Sequence, residues 1–96
     1  MLVDSTALPE QAVQDIVDSA FKSAGQRCSA LRLVCIQSDV YDRMIDMLMG
    51  AMDMLNVGDP EHYSTDLGPV IDKTAMDNIN QHRVLLTEQG LSLIHI

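Results

Sequence analysis

The sequence predicts an α/β fold built on a parallel sheet, because helical and strand-like segments alternate along the chain. An amphipathic segment at residues 9–25 leads into the apolar run ALRLVCIQ at residues 30–37, and a second amphipathic segment follows. Beyond Arg32 this run contains Val and Ile without polar alternation, which is typical of a strand buried on both faces of a parallel sheet. One definite strand does not complete a sheet, so we expect its neighbours to lie outside this chain.

Length and composition indicate part of a larger globular protein. The chain has 96 residues, of which 47% are hydrophobic and 21% charged, and it fills at most one small domain. Trp is absent, and Phe and Tyr together number three, which is few for a self-sufficient core. We therefore expect this chain to be a segment of a longer parent protein.

Charge and hydropathy argue against several function classes. A net charge of −8 and a pI near 4.4 disfavour a nucleic-acid partner, because non-specific affinity comes from Lys and Arg that neutralise phosphates. No apolar run approaches the roughly 18 residues of a membrane span, and the N-terminus lacks a basic signal region, so we expect a cytoplasmic protein. Cys28, Cys35 and the three histidines show neither metal-binding spacing nor a disulfide framework.

The first helix is predicted by apolar residues at helical spacing. The residues that share one face are Val13, Ile16, Val17, Ala20, Phe21 and Ala24. Pro9 suits the first turn, where its missing N–H costs nothing, and Glu10 and Asp15 lie toward the positive end of the helix dipole. Gly25 is predicted to end this helix. The preceding residues MLVD are typical of a buried strand that enters a turn.

A second helix is predicted over about residues 39–55. Its apolar face consists of Val40, Met44, Met47, Leu48, Ala51 and Leu55. Because Met44 and Met47 share this helical spacing, we expect the methionines to pack in the core and not to form a Met-rich binding surface.

A turn-rich segment and a third helix follow. Residues 56–72 are punctuated by glycine and proline, and the aspartates there, Asp59 and Asp66, are expected to bond the backbone of their own turns. The third helix is predicted to begin after Asp72, a good N-cap, and to run to about Gln89, where Gly90 ends it.

The last six residues, LSLIHI, follow Gly90 without a structural pattern. They are what CTG-TCT-CTT-ATA-CAC-ATC encodes, a sequence that resembles the end of a transposase-based sequencing adapter. We therefore expect residues 91–96 to be an adapter-derived tail and residues 1–90 to be natural. A short natural β-strand is the alternative. Met1 is likewise expected to be an internal residue or an internal start codon.

Cys28 is the candidate nucleophile. It lies between a helix end and a strand, so rigid elements hold it from both sides while an irregular loop keeps it accessible. The thiolate is the reactive form of cysteine. The alternative for an isolated cysteine is a small buried hydrophobe, which we expect for Cys35 in the strand. For Arg27 and Arg32, recognition of an anionic substrate and a positional or ion-pair role both stay open.

The pattern Phe21-x-x-x-Gly25-Gln26-x-Cys28-Ser29-Ala30-x-Arg32 resembles the cysteine active-site signature of the aldehyde dehydrogenase superfamily at every fixed position. The turns VGDP and STDLGPVID in residues 57–72 are similar to those that follow the signature in that superfamily. In finer detail, the segments VDSTALPEQAVQDIVDSAFKSAGQRCSALR (residues 3–32) and IDKTAMDNINQH (residues 71–82) resemble the L-glutamate gamma-semialdehyde (delta-1-pyrroline-5-carboxylate) dehydrogenase module of the bifunctional proline utilization A proteins, and this resemblance covers essentially residues 1–90. The fold implied is a partial aldehyde dehydrogenase catalytic domain over residues 1–90.

The resemblance implies a reaction and its residues. Cys28 would attack the aldehyde to form a thiohemiacetal, pass a hydride to NAD and be released by hydrolysis of a thioester. The Cys28 N–H would form part of the oxyanion hole. Ser29 would hold the substrate carboxylate, with simple packing as its alternative, whereas Gly25 and Gln26 would shape the loop. No residue here is expected to bind the cofactor or a metal.

The resemblance also implies properties of the parent protein. These are fusion to a proline dehydrogenase domain carrying FAD, homo-oligomerisation and peripheral membrane association. The general-base glutamate is expected upstream of Met1, so the chain alone is predicted to be inactive. Two alternatives stay open, an aldehyde dehydrogenase with another substrate class and a non-catalytic acidic interaction module.

Overall fold

The computed structural model describes residues 1–91. Residues 92–96, with most of the predicted tail and its alternative of a short natural strand, lie outside the described part. The elements in chain order are β1 (Leu2–Val3), α1 (Pro9–Phe21), a 3₁₀ turn (Lys22–Gly25), β2 (Cys35–Ile36), α2 (Ser38–Asp53) and α3 (Lys73–Glu88). None of the helices within residues 1–91 has the length and apolar character needed to cross a membrane.

The two strands pair in parallel, with Leu2 opposite Cys35 and Val3 opposite Ile36. The Cys35 N–H donates to the Met1 carbonyl at 2.9 Å, and the Gln37 N–H donates to the Val3 carbonyl at 2.8 Å. Helix α1 connects the strands, which gives a β-α-β arrangement. The predicted parallel sheet and the strand at the N-terminus are therefore confirmed.

The predicted second strand is shorter and more open than expected. Only Cys35 and Ile36 of the run 30–37 form strand, Leu33 is 70% exposed, and Cys35 is exposed. The prediction that both faces of this strand and the Cys35 side chain are buried is wrong for this chain. The reason is that a strand is buried on both faces only where further strands extend the sheet and helices cover both of its sides, and residues 1–91 supply β1 alone as a neighbouring strand.

The core lies where α1 packs on α2 and on β1. Its buried members are Val3, Val13, Ile16, Val17 and Met44. Met44 is only 1% exposed and Met47 packs against the core, which confirms the expectation for these two methionines. It is wrong for Met54, which lies just beyond the end of α2 and is 81% exposed. The predicted apolar faces of both helices are confirmed at these positions.

Helix α3 begins and ends as predicted. Asp72 is its N-cap, and the Asp72 Oδ1 accepts a hydrogen bond from the Ala75 N–H at 2.8 Å. Gly90, just beyond its end, has a φ of 77°, a conformation that glycine adopts without steric cost. No residue of α3 is buried, so its ends are determined by local hydrogen bonds and not by core packing.

Candidate active site

Helix α1 ends at Phe21, earlier than predicted, in a short left-handed turn. Ser23, Ala24 and Gly25 have φ angles of 57°, 52° and 71°. This conformation costs roughly 1–2 kcal/mol for each residue with a Cβ. Ala24 therefore lies outside the helix, which corrects its predicted place on the α1 face. At Gly25 an added Cβ would lie 3.1 Å from the Ala20 carbonyl oxygen, so the third position of the turn favours glycine.

Cys28 and Ser29 occupy the two central positions of a tight turn. The Ala30 N–H closes the turn by donating to the Arg27 carbonyl at 3.2 Å. Both central side chains are exposed, whereas Ala30 is buried at 8% exposure. The structure thus presents the predicted nucleophile and the predicted carboxylate-binding residue side by side at an accessible tip. We call residues 27–30 the cysteine turn.

Arg27 attaches the cysteine turn to the end of α1. Its Nη2 donates to the carbonyls of Asp18 and Ser19, each at 3.1 Å. Carbonyls in the last helical turn lack partners within the helix, and a cation there also interacts favourably with the helix dipole. The Leu31 N–H donates to the same Ser19 carbonyl at 3.1 Å, so the turn is held on both flanks. Of the two interpretations of Arg27, the structure supports the positional one.

Gln26 connects the cysteine turn to the turn-rich segment. Its Oε1 accepts a hydrogen bond from the Ile71 N–H at 2.8 Å, across 45 residues of sequence. Its Nε2 donates to the Ser23 carbonyl at 3.3 Å. A surface depression of about 450 Å³ lies between the two segments, with Gln26 on one side and the Gly68–Pro69 turn on the other. Sequence analysis assigned Gln26 to loop shaping and missed this long-range partner, which has no local signature.

The turn-rich segment is held together by its own polar groups. The Asp66 Oδ2 accepts from the Asn56 N–H at 2.9 Å, and the Asn56 carbonyl accepts from the Asp66 and Leu67 N–H groups at 2.8 and 3.0 Å. The Asp59 Oδ1 accepts from the Glu61 N–H at 2.9 Å. The prediction that these aspartates bond the backbone of their own turns is confirmed for Asp59. It is wrong for Asp66, whose backbone partner Asn56 lies ten residues earlier, at the other end of the loop.

A second depression, of about 390 Å³, adjoins Ser29. It is also lined by the cations Lys22 and Arg27 and by the carboxylates Asp15 and Asp18. Lys22 Nζ lies 3.2 Å from Asp18 Oδ2, and Arg27 donates to backbone carbonyls, so both cations already have partners. An anionic substrate group here would find the Ser29 hydroxyl as a donor and would need further groups from outside residues 1–91.

A model described as the aldehyde dehydrogenase family matches residues 1–95. The chain belongs to the aldehyde dehydrogenase family. The predicted resemblance is thereby confirmed. The α/β elements also agree with the family fold. An aldehyde dehydrogenase from Brucella melitensis biovar abortus 2308 superimposes with a TM-score of 0.93 at 26% identity, and the match covers 99% of this chain and 20% of that one.

Within the aldehyde dehydrogenase family, the chain is similar to proteins of two names among its curated relatives. The bifunctional protein PutA of Klebsiella aerogenes is 51% identical over 90 residues, which are 94% of this chain and 7% of that protein. The 1-pyrroline-5-carboxylate dehydrogenase of Geobacillus kaustophilus is 40% identical over 90 residues, 94% of this chain and 18% of that enzyme. A crystal structure of a variant of Bradyrhizobium japonicum proline utilization A has a TM-score of 0.89 and 51% identity, covering 92% of this chain and 9% of that one. The chain thus spans a small part of each relative.

Proposed function

We propose that the parent protein is an aldehyde dehydrogenase that oxidises L-glutamate gamma-semialdehyde to glutamate in proline catabolism, with Cys28 as its nucleophile. The observation that carries this proposal is the exposed Cys28 at the centre of a turn that is fixed on both flanks to the end of α1. The similarity to PutA and to a 1-pyrroline-5-carboxylate dehydrogenase supports the substrate class.

The chemistry follows from a thiolate at this position. The Cys28 sulfur attacks the aldehyde carbon, a C–S bond forms, and the carbonyl electron pair moves to oxygen to give a thiohemiacetal anion. As the carbonyl re-forms, the carbon loses its hydrogen as hydride, for which NAD would be the two-electron acceptor, and a thioester remains on Cys28. Water then attacks the thioester, the C–S bond breaks, and the carboxylic acid and the thiolate are released. The general base for this last step is expected outside the chain.

The Cys28 backbone N–H is proposed as one donor of the oxyanion hole. Within residues 1–91 this N–H donates to no protein group, which leaves it available for the developing oxyanion. A fixed donor at such a position stabilises the transition state by about 3 kcal/mol. The attachment of the turn to α1 through Arg27 keeps this donor in place.

Ser29 is proposed to bind the substrate carboxylate. Its exposed position beside Cys28 supports binding over packing, because a residue selected for packing would be buried. We expect Ser29→Ala to raise KM for the semialdehyde about tenfold, with a smaller change in kcat, since the loss of one hydrogen bond to a charged group costs about 1.5 kcal/mol. A KM unchanged by Ser29→Ala would favour the packing role.

Cofactors and partners of the parent are proposals as well. NAD would be the hydride acceptor. Because Cys28 is exposed, a carbon bound to its sulfur would be accessible to NAD. We assign no residue of this chain to NAD binding. FAD would belong to a fused proline dehydrogenase domain, which the name bifunctional protein PutA supports. We also propose a cytoplasmic homo-oligomer with peripheral membrane association.

The test uses the full-length parent, recovered by sequencing outward from this segment in an independent library. We expect NAD reduction with the semialdehyde, a loss of about 10³-fold or more in Cys28→Ala, and less than about a threefold change in the control Cys35→Ala. The 96-residue chain itself should show no turnover. Undiminished turnover in Cys28→Ala would contradict the proposed nucleophile.

The two alternatives give different results in the same protein. A carboxylate-binding site should favour the semialdehyde over a simple aliphatic aldehyde by about 10²-fold or more in kcat/KM, whereas another substrate class would reverse that order. A non-catalytic acidic module would leave Cys28 no more reactive toward iodoacetamide than Cys35. An activated Cys28 should be alkylated faster.

A further inference from the structure

Gln26 lies two residues before Cys28, and both polar groups of its side chain form hydrogen bonds. Its Nε2 and its backbone N–H both donate to the Ser23 carbonyl, at 3.3 and 3.0 Å. Its Oε1 accepts from the Ile71 N–H at 2.8 Å. The carboxamide thus links the left-handed turn to the segment that leads into α3.

The hydrogen bonds to Ser23 close a turn that the backbone alone disfavours. Ser23 and Ala24 both have positive φ, and residues with a Cβ keep that conformation only where the surroundings hold it. Gln26 directs two donors to the first carbonyl of this turn. The left-handed turn determines the direction in which the chain enters the cysteine turn, so the Gln26 contacts act directly on the placement of Cys28.

The hydrogen bond from the Ile71 N–H to the Gln26 Oε1 connects the left-handed turn to the turn-rich segment. Among residues 1–91, this is the single hydrogen bond between the loop at residues 22–31 and the turn-rich segment at residues 56–72. Ile71 itself is 82% exposed, so apolar burial of its side chain does not hold the two segments together. At this point the Gln26 carboxamide, and not the Ile71 side chain, links the two segments.

We infer that Gln26 is a positioning residue for Cys28. Its carboxamide holds the left-handed turn closed and holds that turn against the Ile71 backbone, so that the sulfur two residues later keeps its angle of attack on the aldehyde carbon. This inference rests on the proposed function, because it assigns Gln26 to the reaction of Cys28. Gln26 touches neither the substrate nor the sulfur in this role.

The experiment compares three variants of the full-length parent. Gln26→Ala removes both side-chain contacts, whereas Gln26→Glu keeps an acceptor for the Ile71 N–H. We expect Gln26→Ala to lower kcat about 10- to 100-fold with KM for the aldehyde within about threefold, because a misplaced nucleophile slows the chemical step. Gln26→Glu should lower kcat less than Gln26→Ala does, because it keeps the acceptor for the Ile71 N–H and loses only the donor to the Ser23 carbonyl. The matched control is Gln11→Ala, which removes an exposed amide bonded only to Asp15 on α1 and should change neither parameter.

Folding and chemistry are separated by further measurements on the same proteins. Circular dichroism should show equal folding of all three variants, and iodoacetamide should alkylate Cys28 more slowly in Gln26→Ala than in Gln26→Glu. An unchanged kcat in Gln26→Ala would overturn the inference. Loss of folding in both Gln26 variants would also overturn it, since the role would then be stability of the fold.

The proposed function and the Gln26 inference fail in different ways. If Cys28→Ala is inactive and Gln26→Ala is fully active, only the Gln26 inference is rejected. If the unmodified parent does not oxidise the semialdehyde, or if Cys28→Ala remains active, the proposed function is rejected and the inference with it.

Discussion

Two regions of the described chain are stabilised by different interactions. Residues 1–53, which we call the core region, contain the six buried hydrophobic residues Val3, Val13, Ile16, Val17, Ala30 and Met44. Residues 56–91, which we call the hydrogen-bonded region, contain no buried residue and are ordered by turns, an N-cap and a terminal glycine. One side of the cysteine turn is therefore bonded to a helix that is fixed by packing, and the other side is bonded to a segment that is ordered by polar contacts.

The cysteine turn lies at the border between these regions. Arg27 and the Leu31 N–H attach it to α1, which packs in the core region. Gln26 attaches it to the hydrogen-bonded region through the Ile71 N–H. A nucleophile held in this way has a rigid support on one side and an accessible face on the other, which agrees with the proposed reaction.

The largest expected difference between the two regions is in how much the truncation of an apolar side chain destabilises each of them. Met44→Ala should destabilise the core region by about 2–5 kcal/mol, because it leaves a cavity at the most buried side chain. Ile79→Ala in α3, where the side chain is 56% exposed, should cost less than about 0.5 kcal/mol. Hydrogen exchange in the 96-residue chain measures the first loss at the α1 and α2 amides and the second at the α3 amides. Equal losses would show that the two regions do not differ.

The glycines give a second comparison, within the core region. Gly25→Ala should destabilise the left-handed turn by about 1–2 kcal/mol, because alanine at φ 71° is strained and its Cβ would crowd the Ala20 carbonyl. Gly50→Ala is the matched control, since Gly50 lies within α2 with nothing near its Cβ, and it should stabilise by about 0.5–1 kcal/mol. Amide exchange in the turn and in α2 would reveal the opposite signs.

A smaller effect is expected at the start of α3. Asp72→Ala removes the hydrogen bond to the Ala75 N–H and should cost about 1 kcal/mol, confined to the first turns of α3. Asp77→Ala removes an exposed ion pair with Lys73, 2.8 Å long, and should cost about 0.3–0.5 kcal/mol. NMR exchange rates of the α3 amides distinguish the two. An Asp72→Ala effect that spread into α1 would mean that the regions are coupled.

The smallest effect concerns acidity at the turn after β1. The Thr6 hydroxyl and the Thr6 N–H donate to Asp4 Oδ1 and lower the pKa of Asp4 below its ordinary value of 3.8. A lowered pKa in the folded state means that the contribution to stability is present above pH 3.8 and is lost as the pH falls through the folded value. In an NMR titration, Thr6→Val should move the pKa of Asp4 back toward 3.8, whereas Ser5→Ala should leave it unchanged.

Prediction from sequence succeeded where the determinants are local. The Asp72 cap, the end at Gly90 and the apolar faces containing Val13 and Met44 depend on residues a few positions apart, and the structure confirms them. Prediction failed at Cys35, because the burial of a strand residue depends on neighbouring strands and not on its own run of apolar residues. The early end of α1 was missed because Ser23 and Ala24 carry no signature of positive φ.

Periodicity, capping and residue spacing act over short distances, and they were enough to predict the apolar faces of α1 and α2, both ends of α3 and the pattern around Cys28 that identified the family. The folded structure was needed to show which backbone groups Arg27 and Gln26 contact and that Ala30, close to the accessible Cys28, is buried. The physical reason is that the direction of a side chain depends on what the folded chain brings near it. The Ile71 N–H reaches Gln26 across 45 residues, and no local pattern records that contact.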